Sequence, residues 1–213
     1  MTTPPEPEST PARLLVLRHG QSTWNAERRW QGWADPPLSA LGEKQAGDAA
    51  RNLRDFDFAA VCSSDLQRAT RTARVLASKL GIGEMVVEAD LRERNVGVFT
   101  GKTAEEIRAR WPECFDGGSG RLLSVPEGED DEMLFLRAAP ALSALAQRYP
   151  GQELLVVSHG GLIRSLERQL GVQTAATTPN LAGRWFEAGV GGLRAGERVL
   201  ALDAALVTAP VSE

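Results

Sequence analysis

Apolar residues in this chain gather into short runs that stop abruptly at polar stretches, and between those runs they recur every three or four positions. The run Leu14-Leu15-Val16-Leu17 ends at Arg18-His19-Gly20, and Leu154-Leu155-Val156-Val157-Ser158 ends at His159-Gly160-Gly161. Unbroken Leu/Val runs of this length predict strands covered on both faces. Shorter strands are predicted at 58–62 and 85–89, and two closing strands at 183–188 and 198–203, with 189–196 turning between them.

Helical spacing fills the intervals. Ser39 is placed as an N-cap ahead of Ala46, Ala49, Ala50 and Leu53, and Asp65 as the N-cap of a face made by Leu66, Ala69, Ala73, Leu76 and Leu80 that closes at Gly81. A short helix is predicted at 103–111, stopped by Pro112, then an irregular glycine-rich loop at 116–126 and a long helix at 130–148 ending before Pro150-Gly151. Another follows Gly160 through Leu162, Leu166 and Leu170. This alternation predicts an α/β fold, a three-layer α/β/α sandwich around a mostly parallel central sheet. A single domain over 13–213 is expected, preceded by a disordered tail at 1–12 that carries Pro4, Pro5, Pro7 and Pro11.

Composition removes several classes of function. Lys and Arg total 24 against 28 Asp and Glu, a formal charge of -4, so no basic field points to nucleic acid or an anionic membrane. An anionic substrate must then be held by local charge. The only lysines are Lys44, Lys79 and Lys102, and the remaining cations are arginines, whose planar fork suits phosphate and carboxylate oxygens. Cys62 and Cys114 form neither a disulfide framework nor a zinc spacing. Neither a signal sequence nor a membrane span is read, and a soluble, cytoplasmic protein is expected.

The two histidines of the chain both terminate predicted strands. Ligands in open α/β sheets bind beyond the carboxyl ends of the strands, so His19 and His159 are candidates for one site. Around His19, Arg18, Ser22, Thr23 and Asn25 add a guanidinium, two hydroxyls and a carboxamide. Arg68 falls in the first turn of its predicted helix and Gly160 opens the helix after His159, where free amides and the helix dipole favour an anion. A phosphoryl group fits this set.

Four blocks in order resemble the histidine phosphatase superfamily, which includes phosphoglycerate mutases and acid phosphatases. They are Arg18-His19-Gly20 with Asn25, Gln31-Gly32 and Leu38-Ser39; Ser63-Ser64-Asp65-Leu66-Gln67-Arg68-Ala69 with Thr72-Ala73; Leu91-Arg92-Glu93 with Gly97 and Gly101; and Ser158-His159-Gly160-Gly161. The resemblance implies a phosphoglycerate mutase-like fold and a phosphohistidine formed on His19. Arg18, Arg68, His159 and Asn25 would hold the phosphoryl oxygens, and Glu93 would be the general acid and base. No metal or other cofactor is implied. Ser22, Thr23, Gln31 and Gly32 are candidate contacts to the substrate, and Glu129 resembles a residue that orders the site.

The implied activity is metal-independent hydrolysis of a small phosphomonoester. Mutase-type phosphoryl transfer is the alternative, since Arg94 after Glu93 resembles the mutase pattern and makes it a further candidate contact. The interval from Lys102 to Glu129 is nevertheless short, glycine-rich and acidic toward its end, offering little to clamp a substrate carboxylate. A non-catalytic phospholigand-binding relative ranks third, because Arg18, His19, Arg68, Glu93 and His159 are all present. Phe99 and Thr100 stand where many members carry tryptophan and glutamate. Trp24, Trp30, Trp33 and Phe99 are candidate walls of a pocket for an apolar leaving group, with core packing as the plainer role.

Overall fold

The computed structural model describes residues 10–118, 122–173, 177–189 and 191–208. A six-stranded sheet forms its centre, built from β1 (Ala12–Arg18), β2 (Phe58–Ser63), β3 (Met85–Val87), β4 (Glu153–Ser158), β5 (Ala182–Gly189) and β6 (Gly192–Leu200) in the order β3-β2-β4-β1-β5-β6. The first four strands run parallel, whereas β5 pairs antiparallel with β1 and β6 antiparallel with β5. The antiparallel end follows from connection length. Only two residues separate β5 from β6 along the chain, too few for the crossover that a parallel pair requires.

Helices α1 (Thr23–Ala26), α2 (Ala40–Asn52), α3 (Gln67–Leu80), α4 (Ala104–Arg110), α5 (Asp131–Arg148) and α6 (Gly160–Gln169) complete the described fold. Successive β1 side chains point to opposite faces, as the pleat demands. Leu14 and Val16 join Leu154, Val156, the α5 residues Leu134, Ala138 and Leu142, and α6 through Leu162 and Leu166. Leu15 and Leu17 join Leu155, Val157, Ala49 of α2 with Leu53 at its C-terminal cap, and Ala69, Ala73 and Leu76 of α3. Two cores therefore sandwich one sheet, which is the expected three-layer arrangement.

Local signals placed most elements. Ser39 caps α2 by accepting from the Gly42 amide, Thr103 and Glu106 form a capping box at α4, and Asp130 caps α5. Gly81 ends α3 at φ 72°, a left-handed conformation that suits glycine.

Two expectations are corrected. The N-cap of α3 is Leu66, one residue later than predicted, and Asp65 instead forms an ion pair with Arg92. The vacated role passes to Asp35, whose Oδ1 accepts from the Gln67 amide at 2.7 Å. The last strand spans Gly192–Leu200 rather than 198–203, because its pairing with β5 begins at Gly189 opposite Gly192 and takes in the glycines expected to turn. Residues 1–9 of the expected tail lie outside the described residues, as do 119–121 of the expected loop and 190 of the expected turn, while Ala12 is already a buried strand residue. Among the described residues no helix is long and apolar enough to cross a membrane.

Candidate active site

The register of two parallel strands brings the histidines together. Arg18 of β1 stands opposite Ser158 of β4, and the His19 amide donates to the Ser158 carbonyl at 2.9 Å. His19 and His159 are thus consecutive overhangs of neighbouring strands, with ring centroids 5.1 Å apart in an edge-to-face arrangement. Both are buried.

His19 has a defined tautomer. Its Nδ1 lies 2.6 Å from the Gly20 carbonyl, which can only accept, so Nδ1 carries the proton. Nε2 keeps its lone pair and accepts from Arg68 Nε at 3.3 Å. The loop is held from several sides. Asn180 Nδ2 donates to the His19 carbonyl at 2.8 Å, the Gly20 amide donates to Thr72 Oγ1 at 3.1 Å, and the Gln21 amide donates to Gln45 Oε1 at 2.8 Å. Gly20 is required by close approach, since a Cβ there would stand 2.6 Å from the Gly42 carbonyl oxygen at the start of α2.

Burial pushes the pKa of both histidines well below the ordinary 6.5, and Arg68 and Arg18 push that of His19 further by opposing a second positive charge. For His159 burial and Arg68 again come first and second, and His19 comes third. Both rings are accordingly neutral around pH 7.

Arg68 enters from α3 and is fully buried. Its Nη1 and Nη2 donate to the carbonyls of Ala34 at 2.7 Å and Gly32 at 2.8 Å. Arg18 donates through Nη1 to the Thr178 carbonyl at 2.7 Å. Among the described residues, seven buried side-chain polar atoms have no hydrogen-bond partner, and four of them belong to Arg18 (Nε), Asn25 (Nδ2) and His159 (both ring nitrogens). Leaving such groups unpaired costs about 1–3 kcal/mol each, and two of these residues adjoin His19, Arg18 as its chain neighbour and His159 with its ring centroid 5.1 Å away, which marks a place built for a polar ligand.

Glu93 is buried at 2% exposure and accepts from the Arg94 amide at 2.8 Å and from the Gly161 amide, two residues after His159, at 3.0 Å. A Cβ on Gly161 would come within 2.3 Å of Glu93 Oε1, so this glycine leaves the room that the carboxylate occupies. The main chain around Glu93 is gathered by Arg137 of α5, which donates to the carbonyls of Asp90, Arg92 and Glu93. Arg137 is paired in turn with Glu129, which also accepts from the Asn95 amide. Burial raises the Glu129 pKa, but the Arg137 and Asn95 bonds outweigh it and hold the group below its ordinary 4.5.

The remaining sequence candidates divide. Ser22 caps α1, its hydroxyl accepting from the Asn25 amide and donating to Gln31 Oε1, so Ser22 and Gln31 brace the loop. Thr23 is half-buried at the first position of α1. Gly32 supplies its carbonyl to Arg68, and Gly160 opens α6 with Arg18 and Arg164 packed around it. Arg94 turns away to Asp131, which Arg168 also pairs. Trp30 and Phe99 pack edge-to-face in a small core with Ile107 and Cys114, whereas Trp33 stands exposed and Trp24 lies beneath Gly101. Asp35, Arg137 and Asn180 escaped the sequence reading, since none has a local pattern that sets it apart, whereas Thr72 stands in the second of the four blocks but was assigned no role there. No group of three or more His, Cys, Asp or Glu side chains able to hold a metal ion occurs among the described residues.

A family model described as "Histidine phosphatase superfamily (branch 1)" matches residues 14–184 of this chain, an interval that contains every one of these groups. The chain belongs to the histidine phosphatase superfamily. It is 38% identical over 159 residues to phosphoglycerate mutase-like protein 4 of Arabidopsis thaliana, covering 73% of this chain and 69% of that one. It is 36% identical over 163 residues to the metal-independent phosphoserine phosphatase of the same plant, covering 75% and 68%. Among solved structures, YhfR of Bacillus stearothermophilus superposes with a TM-score of 0.79 at 27% identity, covering 92% of this chain and 99% of that one. The mycobacterial glucosyl-3-phosphoglycerate phosphatase Rv2419c in complex with VO3 gives 0.71 at 28% identity, covering 86% and 96%. This histidine phosphatase accordingly has the phosphoglycerate mutase-like α/β fold, and its chemistry is phosphoryl hydrolysis or transfer.

Proposed function

We propose that this histidine phosphatase is a metal-independent phosphomonoesterase acting on a small phosphorylated metabolite, with the phosphoryl group carried transiently on His19. The observation that carries the reading is the state of His19, a neutral buried ring whose Nδ1 proton is fixed on the Gly20 carbonyl and whose Nε2 lone pair lies beside Arg68. Such a nitrogen is a ready nucleophile without a general base to activate it.

In the first step Nε2 forms a bond to phosphorus while the bond from phosphorus to the leaving oxygen breaks, and Glu93 gives that oxygen a proton. In the second, Glu93 takes a proton from water as the water oxygen bonds to phosphorus and the bond from phosphorus to Nε2 breaks. Inorganic phosphate leaves and His19 returns to its neutral form. Arg18, Arg68, His159 and Asn25 supply the hydrogen bonds and charge that stabilise the transferring group, the role a divalent cation fills in other phosphoryl-transfer sites.

Hydrolysis is favoured over mutase transfer by the fate of Arg94. Its guanidinium is engaged with Asp131 on α5 and is not left to clamp a substrate carboxylate. The test compares hydrolysis of an aryl phosphate in excess chelator with isomerisation of 3-phosphoglycerate, using the parent protein and His19→Ala. Hydrolysis that survives the chelator and vanishes in His19→Ala is expected. Turnover by His19→Ala at a rate near the parent's would overturn the mechanism.

A further inference from the structure

The segment from Gln31 to Asp35 ties the two halves of the site together through one aromatic residue. Gly32 and Ala34 give their carbonyls to Arg68, and Trp33 between them donates through Nε1 to the main-chain carbonyl of Glu93 at 2.9 Å. The Gly32-Trp33-Ala34 segment therefore links the arginine beside the nucleophile, through its carbonyls, to the residue proposed as the acid, through its indole. It is also 43% exposed, the most open of the large aromatic side chains, and the Arg92 guanidinium lies over its ring at 5.2 Å. In an in-line transfer the leaving oxygen departs opposite His19 Nε2 and toward Glu93. The organic group attached to it must then emerge past the residue that bridges Arg68 and Glu93.

Charge around that exit is already matched. Arg92 is paired with Asp65, Arg94 with Asp131, and Arg137 with Glu129. A substrate carboxylate arriving there would have to displace one of these ion pairs. An uncharged ring would meet instead the exposed part of an indole flanked by the Arg92 and Arg137 guanidiniums at 5.2 Å and 6.0 Å, gaining aromatic contact without bringing a charge that competes for either arginine.

We propose that Trp33 is the leaving-group platform of this enzyme, and that it selects phosphomonoesters of uncharged aromatic alcohols over those of small carboxylic acids. The inference rests on the hydrolase reading above and adds to it a substrate class and a specificity-determining residue.

Steady-state kinetics on 1-naphthyl phosphate, glycerol 3-phosphate and 3-phosphoglycerate, with the parent, Trp33→Phe and Trp33→Ala, separate the possibilities. For Trp33→Ala we expect KM for 1-naphthyl phosphate to rise about tenfold, the scale of one lost aromatic contact, and KM for glycerol 3-phosphate to change by less than about twofold. Trp33→Phe, which keeps a ring but has no N–H, restores most of the naphthyl KM. Loss of the Glu93 tie lowers kcat for both esters by the same factor in both variants, and thermal melts confirm that the variants are folded. Equal KM changes for the two hydrolysed esters, an unchanged naphthyl KM, or a parent enzyme with a lower hydrolytic KM for 3-phosphoglycerate than for 1-naphthyl phosphate would overturn the proposal. His19-dependent hydrolysis that is indifferent to Trp33 removes the platform alone, whereas absence of hydrolysis on every ester removes the hydrolase reading beneath it.

Discussion

Arg68 Nε donates to His19 Nε2 across 3.3 Å, so one guanidinium both orients the proposed nucleophile and opposes its protonation. The other two nitrogens of that guanidinium hold the carbonyls of Gly32 and Ala34, which gives three differently directed contacts to one rigid fork. Lysine has a single ammonium and cannot reproduce them. Arg68→Lys is expected to lower kcat/KM by about a hundredfold or more, on the scale of losing a main transition-state donor. A value within threefold of the parent in steady-state assays would refute this assignment.

The pH dependence of stability follows from the two histidines. Their folded pKa values lie well below 6.5, so as pH falls through 6.5 the unfolded chain binds protons that the native protein does not. Their contribution is complete above 6.5 and is lost as pH falls toward the depressed folded values. Thermal melts between about pH 7 and pH 5 should show Tm falling with acidity, in the window where histidine is the side chain that titrates. Because the chain has only two histidines, His19→Asn should shallow that slope appreciably. An equal slope in the variant would mean that His19 titrates alike in both states.

Gly161→Ala tests the room left for Glu93. The added methyl would start 2.3 Å from Glu93 Oε1, the movable end of a side chain, so the carboxylate shifts and the fold survives. The expected result is a kcat reduced by about tenfold or more at a Tm close to the parent's, since proton transfer depends on position. Parent-like kcat for an ester with a poor leaving group would argue against Glu93 as the acid.

Arg137→Met removes the cation that gathers the Glu93 loop. It strands the carbonyls of Asp90 and Arg92, leaves the Glu93 carbonyl to Trp33 alone, and leaves Glu129, only 12% exposed, without its ion-pair partner. Losing one member of such a pair costs about 2–4 kcal/mol, which chemical denaturation would measure. Activity should fall through kcat with KM nearly kept, because Arg137 touches the main chain of the acid and not the phosphoryl group. A variant of unchanged stability would place the support for this loop elsewhere.

Much of the molecule was written in short-range terms. The runs at Leu14 and Leu154 announced two strands and put a histidine at the end of each, and Ser39, Thr103, Gly81 and Asp130 marked helix ends by hydrogen-bonding groups within four residues of themselves. The four blocks that resemble the superfamily marked Arg18, His19, Arg68, Glu93 and His159 as one set before any geometry was known. Asp65 shows where local reading fails. One residue from the true cap, its carboxylate is claimed by Arg92, while Asp35, 32 positions before Gln67, supplies the acceptor.

The sequence by itself therefore determined most of the periodic elements, most of their ends and the set of residues proposed to react, because each is carried by neighbours along the chain. Only the tertiary structure decided that Arg18 faces Ser158 and so sets the histidines side by side, that Arg94 is spent on Asp131, and that Arg137 and Trp33 converge on the Glu93 carbonyl. Strand register and side-chain partnership across 37 to 140 residues are settled by which faces pack and which buried polar groups find partners, and no spacing along the chain encodes them.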